Sequence, residues 1–140
     1  FRYLKLLPEQ LILSEYPLKL GGEYSFTFLR QIKNNKILNQ PGKFKFIIAC
    51  VEIVKYTRGT DTEIEIHTIY ESQVKEQFVS QGVNALKMKQ YFQIPSNLPP
   101  SFEGKNNQIR WILLIYQDFP ELPKNIYYNF TLVVDPIISL

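Results

Sequence analysis

At 140 residues the chain is long enough for one domain to bury a core without disulfide or metal, and 45% hydrophobic with 21% charged content excludes a disordered polymer. A formal charge of +3, with basic residues scattered singly among apolar ones, excludes the clustered footprint of a nucleic-acid binder. No apolar run reaches the roughly twenty residues that a bilayer-spanning helix needs, no signal-peptide pattern opens the chain, and the lone Cys50 can form no internal disulfide, so a cytoplasmic setting is expected.

The first residues hold two short apolar pieces, Tyr3–Leu7 and Leu11–Leu13, separated by Pro8, which removes a ladder donor and suits an edge strand. After the turn Leu20-Gly21-Gly22-Glu23, the segment Tyr24-Ser25-Phe26-Thr27-Phe28 alternates with period two and reads as a strand. Lys33-Asn34-Asn35-Lys36 and Pro41-Gly42 bracket a loop. Lys43 to Thr57 is apolar on both parities, as expected of a central strand covered on both faces for part of its length, or one that shifts faces at a bulge. Arg58-Gly59-Thr60-Asp61 is a turn, and Thr62 to His67 alternates again, with Ile64 and Ile66 expected inward and Glu63, Glu65 and His67 outward. The polar stretch Ser72 to Gly82 is expected to be a helical turn or a loop, since Val74 and Phe78 lie one helical turn apart.

Leu86, Met88, Phe92 and Ile94 resume period two. A proline-punctuated crossover through Pro95, Pro99, Pro100 and Gly104 then leads to the strongest apolar run, Ile109 to Tyr116, and Tyr127 to Val134 closes the chain. Trp111, Leu113 and Ile115 share a parity and are expected in the core, and Gly104 is expected to adopt a backbone conformation open mainly to glycine. These elements define an all-β fold: an antiparallel two-sheet β-sandwich of about seven to nine strands in Ig-like or Greek-key order, with a closed barrel as the other architecture such strands can build. With no repeat and no dividing linker, residues 1–140 are expected to form a single domain. The start at Phe1 rather than Met leaves open that it is excised from a longer protein.

Read as strand, proline crossover, Ser-Phe-Glu-Gly-Lys turn and strand, the stretch Phe92 to Trp111 resembles the arrestin-like fold, and most of all the α-arrestin (arrestin-domain-containing) proteins. The matching residues are Phe92, Ile94, Pro95, Leu98, Pro99, Ser101, Phe102, Glu103, Gly104, Lys105, Ile109 and Arg110, with Trp111 where the family usually has Tyr. Pro17-Leu18-Lys19-Leu20-Gly21-Gly22-Glu23-Tyr24 is similar to the proline and glycine that precede an early strand there. Asn106-Asn107 stands in place of the more usual His-Gly, and Pro99-Pro100-Ser101-Phe102 is not the Pro-Pro-x-Tyr that recruits ubiquitin ligases. Family members resemble a pair of sandwiches, whereas this chain has room for one. The resemblance implies an adaptor or scaffold that binds other proteins and has no catalytic centre.

Nothing in the residues themselves contradicts that expectation. His67 is the single histidine, and with Glu63 and Glu65 it could hold a metal only loosely; a solvated sheet face accounts for the three more simply. Cys50 sits among apolar neighbours as a core thiol, and Gly21-Gly22 is followed by no helix that could cradle phosphate. Glu52 and Arg110 interrupt apolar strands, and each is expected to snorkel at a sheet margin rather than pair. Arg58-Gly59-Thr60-Asp61 is a turn rather than an adhesive motif, and Asn129-Phe130-Thr131 matches a glycosylation sequon inside a strand. No catalytic, cofactor or metal residues are therefore assigned. The expected function is a non-catalytic protein-interaction domain, with a sugar-type ligand module as the alternative, and a structural domain tethered to a membrane through a segment upstream of Phe1 as a third. Binding surface is expected where the core makes no demand: the free edge at Leu11, Ile12, Leu13 and Ser14, the strand bearing Glu63, Glu65 and His67, or the loop from Gln31 to Gly42. The partners expected are other proteins, not nucleic acid, and an edge strand could equally admit a second copy of the chain.

Overall fold

The computed structural model describes residues 10–31, 42–79, 85–118 and 127–137. In chain order the strands are β1 (Gln10–Leu13), β2 (Leu18–Lys19), β3 (Glu23–Gln31), β4 (Gly42–Arg58), β5 (Asp61–Glu71), β6 (Lys75–Val79), β7 (Ala85–Gln93), β8 (Phe102–Glu103), β9 (Asn107–Asp118), β10 (Tyr127–Leu132) and β11 (Val134–Asp135). One antiparallel sheet runs β1-β3-β7 and faces a second, β10-β9-β4-β5, in which β6 also pairs with β4 and β8 with β9. A short parallel pair, β2 with β11, seats the fully buried Leu18 and Val134. The expected sandwich of antiparallel sheets is what forms, and no helix occurs among the described residues.

Period two decides which side chains enter the space between the sheets. Tyr24, Phe26 and Phe28 of β3 meet Phe44, Phe46, Ile48 and Cys50 of β4 and Trp111, Leu113 and Ile115 of β9, all buried. Rings interlock across the layers, Phe26 with Phe46 and Phe28 with Tyr128, each at a centroid separation of 5.2 Å. Such tilted contacts add to the roughly 1.5–3 kcal/mol that burial of each large side chain supplies. Trp111 and its two parity neighbours lie where the sequence pattern puts them.

The longest strand, β4, is central, with β9 along one side and β6 followed by β5 along the other. Ser72 bridges the gap between these last two: its backbone N–H donates to the Ile48 carbonyl at 2.8 Å, and its hydroxyl accepts from the Ile48 N–H at 2.9 Å. Of Ser72 to Gly82, expected as a helical turn or loop, Ser72 to Val74 lie outside any strand, Lys75–Val79 departs from the expectation, and Ser80 to Gly82 lie outside the described residues. Lys75–Val79 is extended, because the exposed edge of β4 at Gly42–Phe46 supplies it with backbone partners.

A second correction concerns β5. The register against β4 shifts between Cys50 and Val51, pairing Cys50 with Tyr70 but Val51 with Thr68, so Ile69 is an extra residue. A bulge of one residue reverses the parity of everything before it. Tyr70 faces inward and contacts Trp111, while Ile64 and Ile66, expected inward, are 60% and 65% exposed on the outer face.

Gly104 also differs from expectation. Positive φ is found at Gly21 (80°) and Gly59 (67°), not at Gly104. Space explains its presence instead: a Cβ there would lie 2.8 Å from Phe102 Cε2 and 3.0 Å from Asn107 Oδ1, inside a turn closed by Gly104 N–H donating to Asn107 O at 2.8 Å.

Candidate interaction surfaces

Backbone parity shows which groups of an edge strand are unused. Ser14 N–H donates to Ser25 O at 2.9 Å, and Ser14 Oγ accepts from Ser25 N–H at 2.9 Å, so Ser14, Ile12 and Gln10 direct their backbone toward β3. Leu11 and Leu13 therefore turn their N–H and C=O away from β3, at the end of the strand order. Their side chains pack against the core, whereas the Ile12 side chain is 54% exposed. Among the described residues, the expected segment Leu11–Ser14 is thus an edge with a short run of unpaired main chain. A cavity of about 470 Å³ adjoins it, lined by Ser14, Glu23, Ser25 and Tyr91 among others.

The same logic applies to β5. Lys55 N–H donates to Asn106 O at 2.7 Å, toward β9, so Tyr56, Val54 and Glu52 turn toward β5 and bond its Glu63, Glu65 and His67. The backbone groups of Thr62, Ile64, Ile66 and Thr68 then face away, and among the described residues no strand pairs with them. On the inner face, beyond the reach of the smaller sheet, a polar cluster replaces the core. Tyr56 Oη lies 2.8 Å from Glu63 Oε2 and 2.9 Å from Glu65 Oε1, and His67 Nε2 is 3.2 Å from Glu65 Oε2. Hydrogen bonds to Glu63 and then Glu65 push the Tyr56 hydroxyl up to about 12. Glu63, Glu65 and His67 do come together, held by Tyr56. No group of three or more His, Cys, Asp or Glu suited to a metal ion occurs among the described residues.

The remaining candidates are spread out. Cys50 is fully buried, and burial pushes its thiol up to about 11, the opposite of nucleophile activation. Glu52 and Arg110 lie on adjacent strands, but Val51 rather than Glu52 stands opposite Arg110, whose guanidinium instead donates to Gln108 Oε1 at 3.3 Å. Asn129 is exposed on β10 opposite Leu114. Most of the loop from Gln31 to Gly42 lies outside the described residues.

Between the sheets, on the side where β7 meets β5 and β6, a cleft of about 270 Å³ is lined by Phe26, Phe46, Ile48, Tyr70 and Phe92. Lys75 spans it, its ammonium donating to the Tyr91 carbonyl, and Gln90 donates to Gln77 at 3.0 Å beside it. Sequence reasoning missed this flank, and it named the strand bearing Glu63, Glu65 and His67 as a binding surface without recognising it as a sheet edge. The absence of Pro and Lys from residues 61–71 was the available signal, because those residues commonly blunt a free edge.

No protein-family model matches the chain, and no curated protein matches it in sequence. In structure it is similar to the sporulation control protein Spo0M from Bacillus subtilis, with a TM-score of 0.55 at 12% identity, over 92% of this chain and 49% of that one. The chain thus spans about half the length of the protein it matches. The likeness gives the fold as an arrestin-like β-sandwich.

Proposed function

We propose that the domain is a non-catalytic protein-interaction module, an adaptor or scaffold, working in the cytoplasm. The observation that carries this reading is the main chain of β1, unpaired on its outer side among the described residues, where Leu11 and Leu13 direct donors and acceptors outward beside the exposed Ile12. An extended segment of a partner adds there as a further strand, held by backbone hydrogen bonds that demand little of its side chains. The crossover residues Phe92 to Arg110 support kinship with α-arrestins in particular, through the motif they share. The buried, unactivated Cys50 and the mutual hydrogen bonding of Tyr56, Glu63, Glu65 and His67 both support a role without catalysis.

Because Ile12 uses its N–H within the β1–β3 ladder, a proline at Ile12 would damage the fold, whereas one at Leu13 removes an outward donor. Pull-downs with the wild-type domain and Leu13→Pro, each verified as folded by circular dichroism, test the reading. Loss of bound partners with Leu13→Pro is expected. Equal recovery by both proteins overturns the edge as the binding surface, and reproducible turnover of a substrate by the purified domain overturns the adaptor reading.

A further inference from the structure

We infer that β5 is a self-association edge through which two copies of the domain join their larger sheets into one continuous sheet across a two-fold axis at Ile66. This surface is separate from β1 and stands independently of the partner reading given above.

Three observations converge on a second copy as the occupant. First, the outward backbone groups of Thr62, Ile64, Ile66 and Thr68 form a regular ladder half, uninterrupted by proline and preceding the bulge at Ile69. Secondly, the side chains of those residues lie on the outer face, where Ile64 and Ile66 are exposed beside the half-buried Ile53 and Val51 of β4. An edge whose outer face is apolar and which carries neither lysine nor proline before its bulge is open to pairing.

Thirdly, charge selects both the partner and the register. In an isologous antiparallel pair the sum of opposed residue numbers is constant, so each candidate two-fold axis fixes every contact. With the axis at Ile66, Ile66 faces its own copy, Ile64 faces Thr68, and Glu65 of each chain stands opposite His67 of the other, carboxylate against an imidazole that can donate to it. Moving the axis to Glu65 sets Ile64 opposite Ile66 and Glu63 opposite His67 but puts the two Glu65 carboxylates directly against each other on the axis, and moving it to Ile64 sets Glu63 against Glu65 twice. Like charges directly opposite are destabilising, whereas opposed apolar and complementary pairs stabilise a ladder. The segment Ile64-Glu65-Ile66-His67 is therefore complementary to itself in the Ile66 register. Parity agrees, because Ile66 has its N–H and C=O outward and can exchange both with its own copy.

Sedimentation velocity over a concentration series, with the intact chain, tests the inference. The wild type is expected to move from monomer to dimer, and Ile66→Lys to weaken association about tenfold or more while leaving the melting curve unchanged. His67→Glu should weaken it as well, and the charge exchange Glu65→Lys with His67→Glu should restore it. Ile66→Cys should form an intermolecular disulfide on mild oxidation, while Ile64→Cys should not, since only the axis residue meets its own copy. A wild type that stays monomeric overturns the inference, as does a dimer indifferent to Ile66→Lys. Cross-linking at Ile64→Cys in preference to Ile66→Cys overturns the register.

Discussion

The indole N–H of Trp111 donates to the carbonyl of Pro99 across 3.0 Å, and this one bond ties the centre of β9 to the crossover that precedes it. Ser101 strengthens the same junction, its hydroxyl accepting from Val134 N–H at 2.8 Å while its own N–H donates to Val134 O at 2.8 Å. The crossover is thereby fastened to the β-sandwich at both the core and the β11 margin.

Trp111 should be the most costly single residue to truncate, being fully buried and in ring contact with Tyr70. Trp111→Ala is expected to lose about 3–5 kcal/mol in denaturant unfolding. Trp111→Phe keeps much of the packing but strands the Pro99 carbonyl, and about 1–3 kcal/mol should go with it. A loss below about 1 kcal/mol for the alanine protein would mean that the ring does not fill the core.

Two glycines distinguish backbone strain from crowding. Gly21 has φ of +80° and a Ser96 Cβ 3.3 Å from where its own would be, so Gly21→Ala incurs both a left-handed penalty and a contact with little room to yield. About 1–2 kcal/mol is expected. At Gly104 the obstacle is the ring of Phe102, which is 52% exposed and can swing aside. Gly104→Ala should therefore cost less than Gly21→Ala, with about 1 kcal/mol or more appearing only for the bulkier Gly104→Val. Thermal melts giving the reverse order would contradict the conformations described.

The strands that lie over the core were legible because burial on one face writes period two into Tyr24-Phe28 and Trp111-Ile115. Beyond the core the pattern persists but loses its meaning. Ile64 and Ile66 alternate as cleanly as buried residues, yet the extra Ile69 reverses them, and a bulge leaves no mark that period alone can register. β6 was hidden for the opposite reason. Its Lys75-Glu76-Gln77-Phe78 is polar because its side chains are largely exposed, and the 73%-exposed Phe78 ring lies under the Lys43 ammonium, 5.7 Å away. The β1 edge could be anticipated from Pro8, since a broken ladder marks a margin; the β5 edge required knowing which strands are neighbours.

Cys50 should be inert in the native protein. Its thiol is fully buried, and desolvation raises it to about 11, leaving on the order of a thousandth as thiolate at pH 8. A disulfide reagent is expected to label it only at the rate of unfolding, and at once in denaturant. Fast native labelling would show that the core opens around β4.

The last prediction concerns the hairpin tip, where one tyrosine proton is shared between two carboxylates. Tyr56 Oη can donate to Glu63 or Glu65, and ionising it would set its negative oxygen 2.8 Å from one carboxylate and 2.9 Å from the other, which is why its hydroxyl is held up to about 12. The folded value is raised above the ordinary one near 10, so the contribution of this group to stability is complete below about pH 10 and is lost as pH rises toward 12. Following the ring carbon that bears the hydroxyl by NMR should show Tyr56 titrating above the ordinary tyrosine value near 10. Glu63→Gln should bring it part of the way back, and adding Glu65→Gln should bring it further, since Glu63 is the larger of the two influences. If Tyr56 titrates near the ordinary value of about 10 and ignores both substitutions, the cluster does not hold its hydrogen bonds in solution, and the inner face of β5 is a set of independent solvated side chains.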